Sequence, residues 1–173
     1  MKSFFKKIFR NRNKNKNYYQ ELILPTIVKY QNTLKSKDTI SFLHYGHLGD
    51  IINSLPVIKE ISKNKKCILY IQIEKKIPNH VASKDHPFGE VYLKEKPVKK
   101  LLPLLQSQKF LSKAEIFKGQ EIDIDLNFFR ELPINFNIDS IRWYFHLTGK
   151  SPELSESYLQ VPNHNKFQNY IVV

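Results

Sequence analysis

The stretch from Phe42 to Lys63, FLHYGHLGDIINSLPVIKEISK, constrains the fold more than any other part of the chain. An apolar run ends at two glycines spaced G-x-x-G, an aspartate follows at once, and a periodic apolar run comes next. Residues Thr39 to Tyr45 (TISFLHY) read as a continuous β-type run. Ile51, Ile52, Leu55, Ile58 and Ile61 recur at spacings of three and four, which predicts a helix over Asp50 to Lys63. Asp50 is placed to cap its first turn, and Pro56 to bend it or delay its start. A strand that passes through two glycines directly into a helix is the opening unit of a parallel α/β sheet.

The rest of the chain keeps the alternation. Tyr18 to Lys35 reads as a helix with a kink at Pro25. Cys67 to Glu74 (CILYIQIE) is apolar too continuously for a strand with one wet face, and fits the interior of a parallel sheet covered on both sides. Pro78 to Glu90 reads as a loop, Glu90 to Glu95 (EVYLKE) as a short strand, and Pro97 to Gln108 as a helix opened by its proline. Glu121 to Leu126 (EIDIDL) is another short strand, and Asn137 to Gly149 a helix closed by glycine. The expected architecture is α/β, a Rossmann-like parallel sheet flanked by helices, which binds ligands at the carboxyl ends of its strands. Three parts are expected: a basic tail over 1–16, the Rossmann-like domain over 17–162, and over 163–173 a linker with the first strand (NYIVV) of a further domain beyond Val173.

A net charge of +12 raises nucleic acid as a partner. The excess is uneven, with Lys2, Lys6, Lys7, Arg10, Arg12, Lys14 and Lys16 in the first sixteen residues and no acid among them. Lysine far outnumbers arginine, whereas readers of bases and phosphates favour the guanidinium fork. These features argue against nucleic acid as the main partner. In the tail, Phe4, Phe5, Ile8 and Phe9 can share one helical face beside the basic groups, which suits peripheral contact with an anionic membrane through residues 1–16; a solvated terminus is the other reading. There is no secretory signal pattern, and the one cysteine, Cys67, suits a reducing, cytoplasmic compartment.

The Gly46–Asp50 turn is the candidate site. Gly46 and Gly49 permit positive φ and let a ligand approach with no Cβ in the way. The amides of Leu48, Gly49 and Asp50 would sit at the positive end of the following helix, a place for an anion or a polar ligand oxygen. The Asp50 carboxylate can accept a proton from a hydroxyl brought beside it. No Gly-Lys-Ser/Thr follows, so the turn is not a P-loop, and a third glycine is missing for a dinucleotide fingerprint, although Glu74 stands where a ribose-binding acid would. His44-x-x-His47-x-x-Asp50 has the residue types of a metal site, but a strand running into a loop splays them, so no metal is expected.

The run GHLGDIINSLPVIKEI, Gly46 to Ile61, resembles the N-terminal signature of the lipopolysaccharide heptosyltransferase-like enzymes, glycosyltransferase family 9. Residues 123–161 are similar to the end of the N-terminal half of small relatives of that family. The resemblance implies the N-terminal, acceptor-side domain of a GT-B glycosyltransferase, with transfer of a sugar from a nucleotide-sugar co-substrate to a cell-surface glycan or lipid-linked acceptor, by inversion and without metal or other cofactor. It implies a part in lipopolysaccharide biosynthesis, Asp50 as the base, Gly46 and Gly49 as the turn, and His44 where the family often carries a stronger cation. It also implies a donor-binding half after Val173, without which the chain is inactive.

Other candidate contacts come from the residues themselves. His47 and Leu48 lie on the turn, and Asn53 one helical turn further on, in reach of a ligand hydroxyl. Arg130 and Arg142, two of the chain's four arginines, can clamp a phosphate or carboxylate, or pair with nearby acids such as Glu131 and Asp139. Trp143, Tyr144 and Phe145 read as packing. A non-catalytic Rossmann-like module that binds a nucleotide or a protein is the alternative function.

Overall fold

The computed structural model describes residues 19–78, 89–131, 140–155 and 157–161. The basic tail, most of the expected loop after Pro78, Asp139 and the strand expected at 169–173 lie outside these residues.

A wide turn at Tyr19–Ile23 leads into helix α1, Leu24–Ser36, whose first turn holds Pro25. Strand β1, Thr39–His44, is followed by helix α2, Leu48–Ser62, and strand β2, Lys66–Ile71. Helix α3, Glu95–Gln106, precedes strand β3, Lys113–Ile116, and the short strand β4, Ile124–Asp125. A 3-10 turn at Phe128–Glu131 and helix α4, Ser140–Thr148, complete the described elements. Among the described residues the sheet has four strands in the order β3-β2-β1-β4, all pairs parallel. This is a Rossmann-like arrangement, and the order matches the first four strands of the doubly wound 3-2-1-4-5-6 pattern.

Successive residues of β1 (Ile40, Ser41, Phe42) are buried, so both faces of that strand are covered. Its place between β2 and β4 explains the unbroken apolar run. A clip fixes β4 alongside it: the Asp123 carboxylate accepts from the Ser41 amide at 2.9 Å and the Ser41 hydroxyl at 2.8 Å, and pairs with Lys37.

Several expectations are corrected. Helix α2 begins at Leu48, earlier than Asp50, and runs through Pro56, which is buried. The missing proline N–H leaves one carbonyl unserved, and packing of Ile51, Leu55, Ile58 and Ile61 into the core outweighs that loss. Strand β2 ends at Ile71, so Glu74 does not close it; Glu74 sits exposed with φ of 56°, its amide bonded to the Leu93 carbonyl. The segment read as a strand at Glu90–Glu95 makes one antiparallel bridge, Val91 to Lys76, and then enters α3. That helix starts two residues before Pro97, which falls in the first turn, where amides have no helical acceptor in any case. Strand β3 was not expected at all. Gly149 closes α4 as predicted, with φ of 67°.

Candidate functional site

Parallel pairing of β1 with β4 decides what meets at the Gly46–Asp50 turn. Phe42 stands opposite Ile124 and Leu43 opposite Asp125, so the residues that follow, Tyr45 and Asn127, emerge side by side at the carboxyl end of the sheet. The Asn127 side-chain carbonyl accepts the Tyr45 amide at 3.2 Å. The 3-10 turn then returns Arg130 across the start of α2, where its Nη2 meets Asp50 Oδ1 at 2.8 Å. Because β2 lies on one side of β1 and β4 on the other, this is the point where strand order reverses, the usual ligand crevice of open α/β sheets.

Beneath the turn lies a closed polar network. His44 is fully buried, and its Nδ1 accepts the Gly46 amide at 3.1 Å. The ring proton therefore sits on Nε2, which donates to the Tyr144 hydroxyl at 2.9 Å. That hydroxyl also accepts from Arg130 Nη2 at 3.3 Å and donates to the Asp50 backbone carbonyl at 3.2 Å. The Tyr144 hydroxyl is thus the hub of the network. Burial pushes its pKa up to about 12, and it stays a neutral hydroxyl. Burial, and after it the Arg130 charge, hold the His44 imidazole well below its ordinary 6.5.

This neutral histidine gives a pH signature. Below 6.5 the unfolded chain takes up a proton at His44 that the folded chain does not, so stability is whole above that pH and falls as pH drops from 6.5 toward the folded value. The urea midpoint is expected to fall between about pH 6.5 and 5, ahead of most carboxylate titration, and a His44→Gln variant to lose that limb. A wild-type midpoint that stays flat over this interval would contradict the assignment.

The two glycines have different jobs, and neither has positive φ, contrary to expectation. A Cβ on Gly46 would lie 2.9 Å from Asn127 Nδ2, 3.0 Å from His44 Cε1 and 3.1 Å from Asp50 Cβ. Close approach is why that position has no side chain. Gly49 is exposed in the first turn of α2, and a Cβ there would meet nothing within 4 Å. Packing gives no reason for glycine there, whereas an open helix end does.

Of the predicted contacts, Asp50 is the third residue of α2 rather than its cap; its Oδ2 accepts the His47 amide at 3.2 Å, half of a capping box. The carboxylate is 18 % exposed and bound to Arg130, so it is tied yet not sealed off. His47 precedes the helix and is half-buried, and Leu48 opens it and borders a hollow beside α3. His44 is corrected: it is a neutral strut under the turn, its two ring nitrogens both engaged, and neither a cation nor free to ligate a metal. Among the described residues no group of three His, Cys, Asp or Glu is arranged around a common point. Asn53 leans on the Ser140 hydroxyl at 3.5 Å, tying α2 to α4. Arg130 pairs with Asp50, eighty residues away in sequence. Arg142 is exposed on α4, about 200° around the helix from Tyr144, so the two arginines do not form one clamp.

Two residues of the site were missed. Tyr144 was read as packing, which is half right: it lies edge-on to Phe129, while Trp143 stacks on the same ring at 5.1 Å. Asn127 carried no signal in sequence. Its Nδ2, like Arg130 Nε, is buried with no hydrogen-bond partner among the described residues, so donors are left over beneath the turn.

No protein-family model matches the chain, and no solved structure matches it. The chain is similar to a probable serine/threonine-protein kinase of Dictyostelium discoideum, 33 % identical over 93 residues. That match covers 48 % of this chain and spans 11 % of the kinase's length. The resemblance to glycosyltransferase family 9 therefore rests on sequence pattern alone, chiefly Gly46 to Ile61 and then residues 123–161.

Proposed function

We propose that the chain is the acceptor-side domain of a glycosyltransferase that moves a sugar from a nucleotide-sugar donor to a cell-surface glycan or lipid-linked acceptor, with inversion and without a metal. The supporting observation is the position of Asp50: a part-exposed carboxylate at the strand-order reversal, oriented by Arg130 and the His47 amide. In this reading the acceptor hydroxyl lies against Asp50. Its oxygen attacks the anomeric carbon, its proton passes to the carboxylate, and the nucleoside diphosphate departs with the electron pair of the broken bond. A second Rossmann-like domain would supply the donor contacts, and residues 1–16 would hold the enzyme at an anionic membrane surface.

The Arg130 pair also favours a second reading, a non-catalytic module, since a carboxylate with both oxygens engaged can serve the fold alone. The two are separated by incubating the full-length protein with a panel of sugar nucleotides and a glycolipid extract. Donor-dependent glycosylation of an extract component, with inverted anomeric configuration, is expected. Absence of transfer with every donor, alongside tight binding of a nucleotide or a protein, would leave the module.

A further inference from the structure

A hollow of about 380 Å3 lies between the start of α2 and the first two turns of α3. Its described lining joins the apolar Leu48, Pro97 and Leu101 with Lys96 and Lys100. Among the described residues, its lining includes no acid. The neighbouring carboxylate, Glu95, is turned to Lys99 at 2.8 Å, and no ion pair engages Lys96 or Lys100 among the described residues. Like charges four apart on a helix repel each other, and nothing described in the fold offsets them here. The volume is that of a small-ligand pocket, and two ammonium groups on one helical face suit a dianionic head, since lysine binds phosphate as a point charge.

We propose that this hollow binds a phosphate-bearing amphiphile, with the phosphate between Lys96 and Lys100 and a short apolar body over Leu48, Pro97 and Leu101. The site involves neither Asp50 nor a sugar nucleotide, so it stands independently of the transfer reading. Two sources supply this chemistry, a phospholipid in a membrane and a soluble phosphate monoester with an apolar tail.

The test is calorimetric titration of the full chain with octyl phosphate, beside inorganic phosphate and octyl glucoside, all below micelle formation. Octyl phosphate is expected to bind at least tenfold more tightly than either control. Lys96→Ala/Lys100→Ala should lose that advantage with an unchanged far-ultraviolet spectrum, and Lys96→Arg/Lys100→Arg should keep it. Co-sedimentation with phosphatidic acid vesicles, against phosphatidylcholine vesicles, assigns the source: retention lost in the double alanine variant points to membrane lipid, and binding in solution without retention points to a soluble ligand. Either result supports the site. Equal binding of octyl glucoside, or a double alanine variant that behaves as wild type in both arms, overturns it; the second outcome would assign the affinity to the basic tail.

Discussion

If the chain takes part in the proposed sugar transfer, replacing Asp50 by asparagine is expected to lower turnover of the full-length protein by roughly 10²- to 10⁴-fold, the usual contribution of a positioned general base. Asparagine keeps the shape and an oxygen for Arg130 Nη2, but it cannot take the acceptor's proton. The Michaelis constant for acceptor should change far less than kcat, because the turn and the open helix end remain. Stability should also fall, since Arg130 is 15 % exposed and loses its counter-charge. The two effects separate on measurement: turnover is assayed well below the variant's melting temperature, where the fold is intact by circular dichroism. Near-normal turnover there would remove Asp50 from the chemistry and leave the Arg130 pair as a purely structural tie.

Gly46→Ala is the second large effect, and it falls on the fold. The added methyl would press on Asn127, His44 and the Cβ of Asp50 at 2.9–3.1 Å. None of these can step aside cheaply. Asn127 holds the Tyr45 amide, His44 is fixed at two ring nitrogens, and the Asp50 Cβ belongs to a helix. A loss of about 3 kcal/mol is expected, the upper end of ordinary overpacking. Gly49→Ala is the matched control. With empty space above it and an ordinary helical backbone, alanine should leave stability unchanged or raise it by up to about 1 kcal/mol. If Gly49→Ala nonetheless impairs ligand binding, the open surface over that turn is where the ligand rests. Urea unfolding of both variants decides the contrast, and a Gly46→Ala protein as stable as its parent would contradict the tight packing under the turn.

The part of this molecule that reads from sequence is the part set by local pattern. The β1–turn–α2 unit follows from a continuous apolar run, a pair of glycines and a periodic stripe, all within 25 residues. The closing Gly149 follows in the same way from backbone geometry. Strand β3 escaped notice because KAEI is short and half charged, as suits the outer strand of the described sheet, where one side of the ladder is unpaired. VYL was read as a strand on its β-forming residues, yet tertiary context gave it a single bridge. The site's wiring was hidden for a different reason. Pairing Asp50 with Arg130, or His44 with Tyr144, depends on which strand lies beside β1, and no local signal states that. Reading His44 as a cation failed likewise, because its protonation is decided by burial under elements far along the chain.

The separation of those partners bears on the order of assembly. The His44–Tyr144 contact closes 100 residues and the Tyr144–Asp50 contact 94. The β1–β2 pairing spans 27, from Thr39 to Lys66. Closure entropy rises with span, so the sheet's first pairings have a head start over the hub. During synthesis the His44 Nε2–H lacks its Tyr144 acceptor until Tyr144 clears the ribosome, so the polar network under the turn closes only after β1, β2 and α3 have been made.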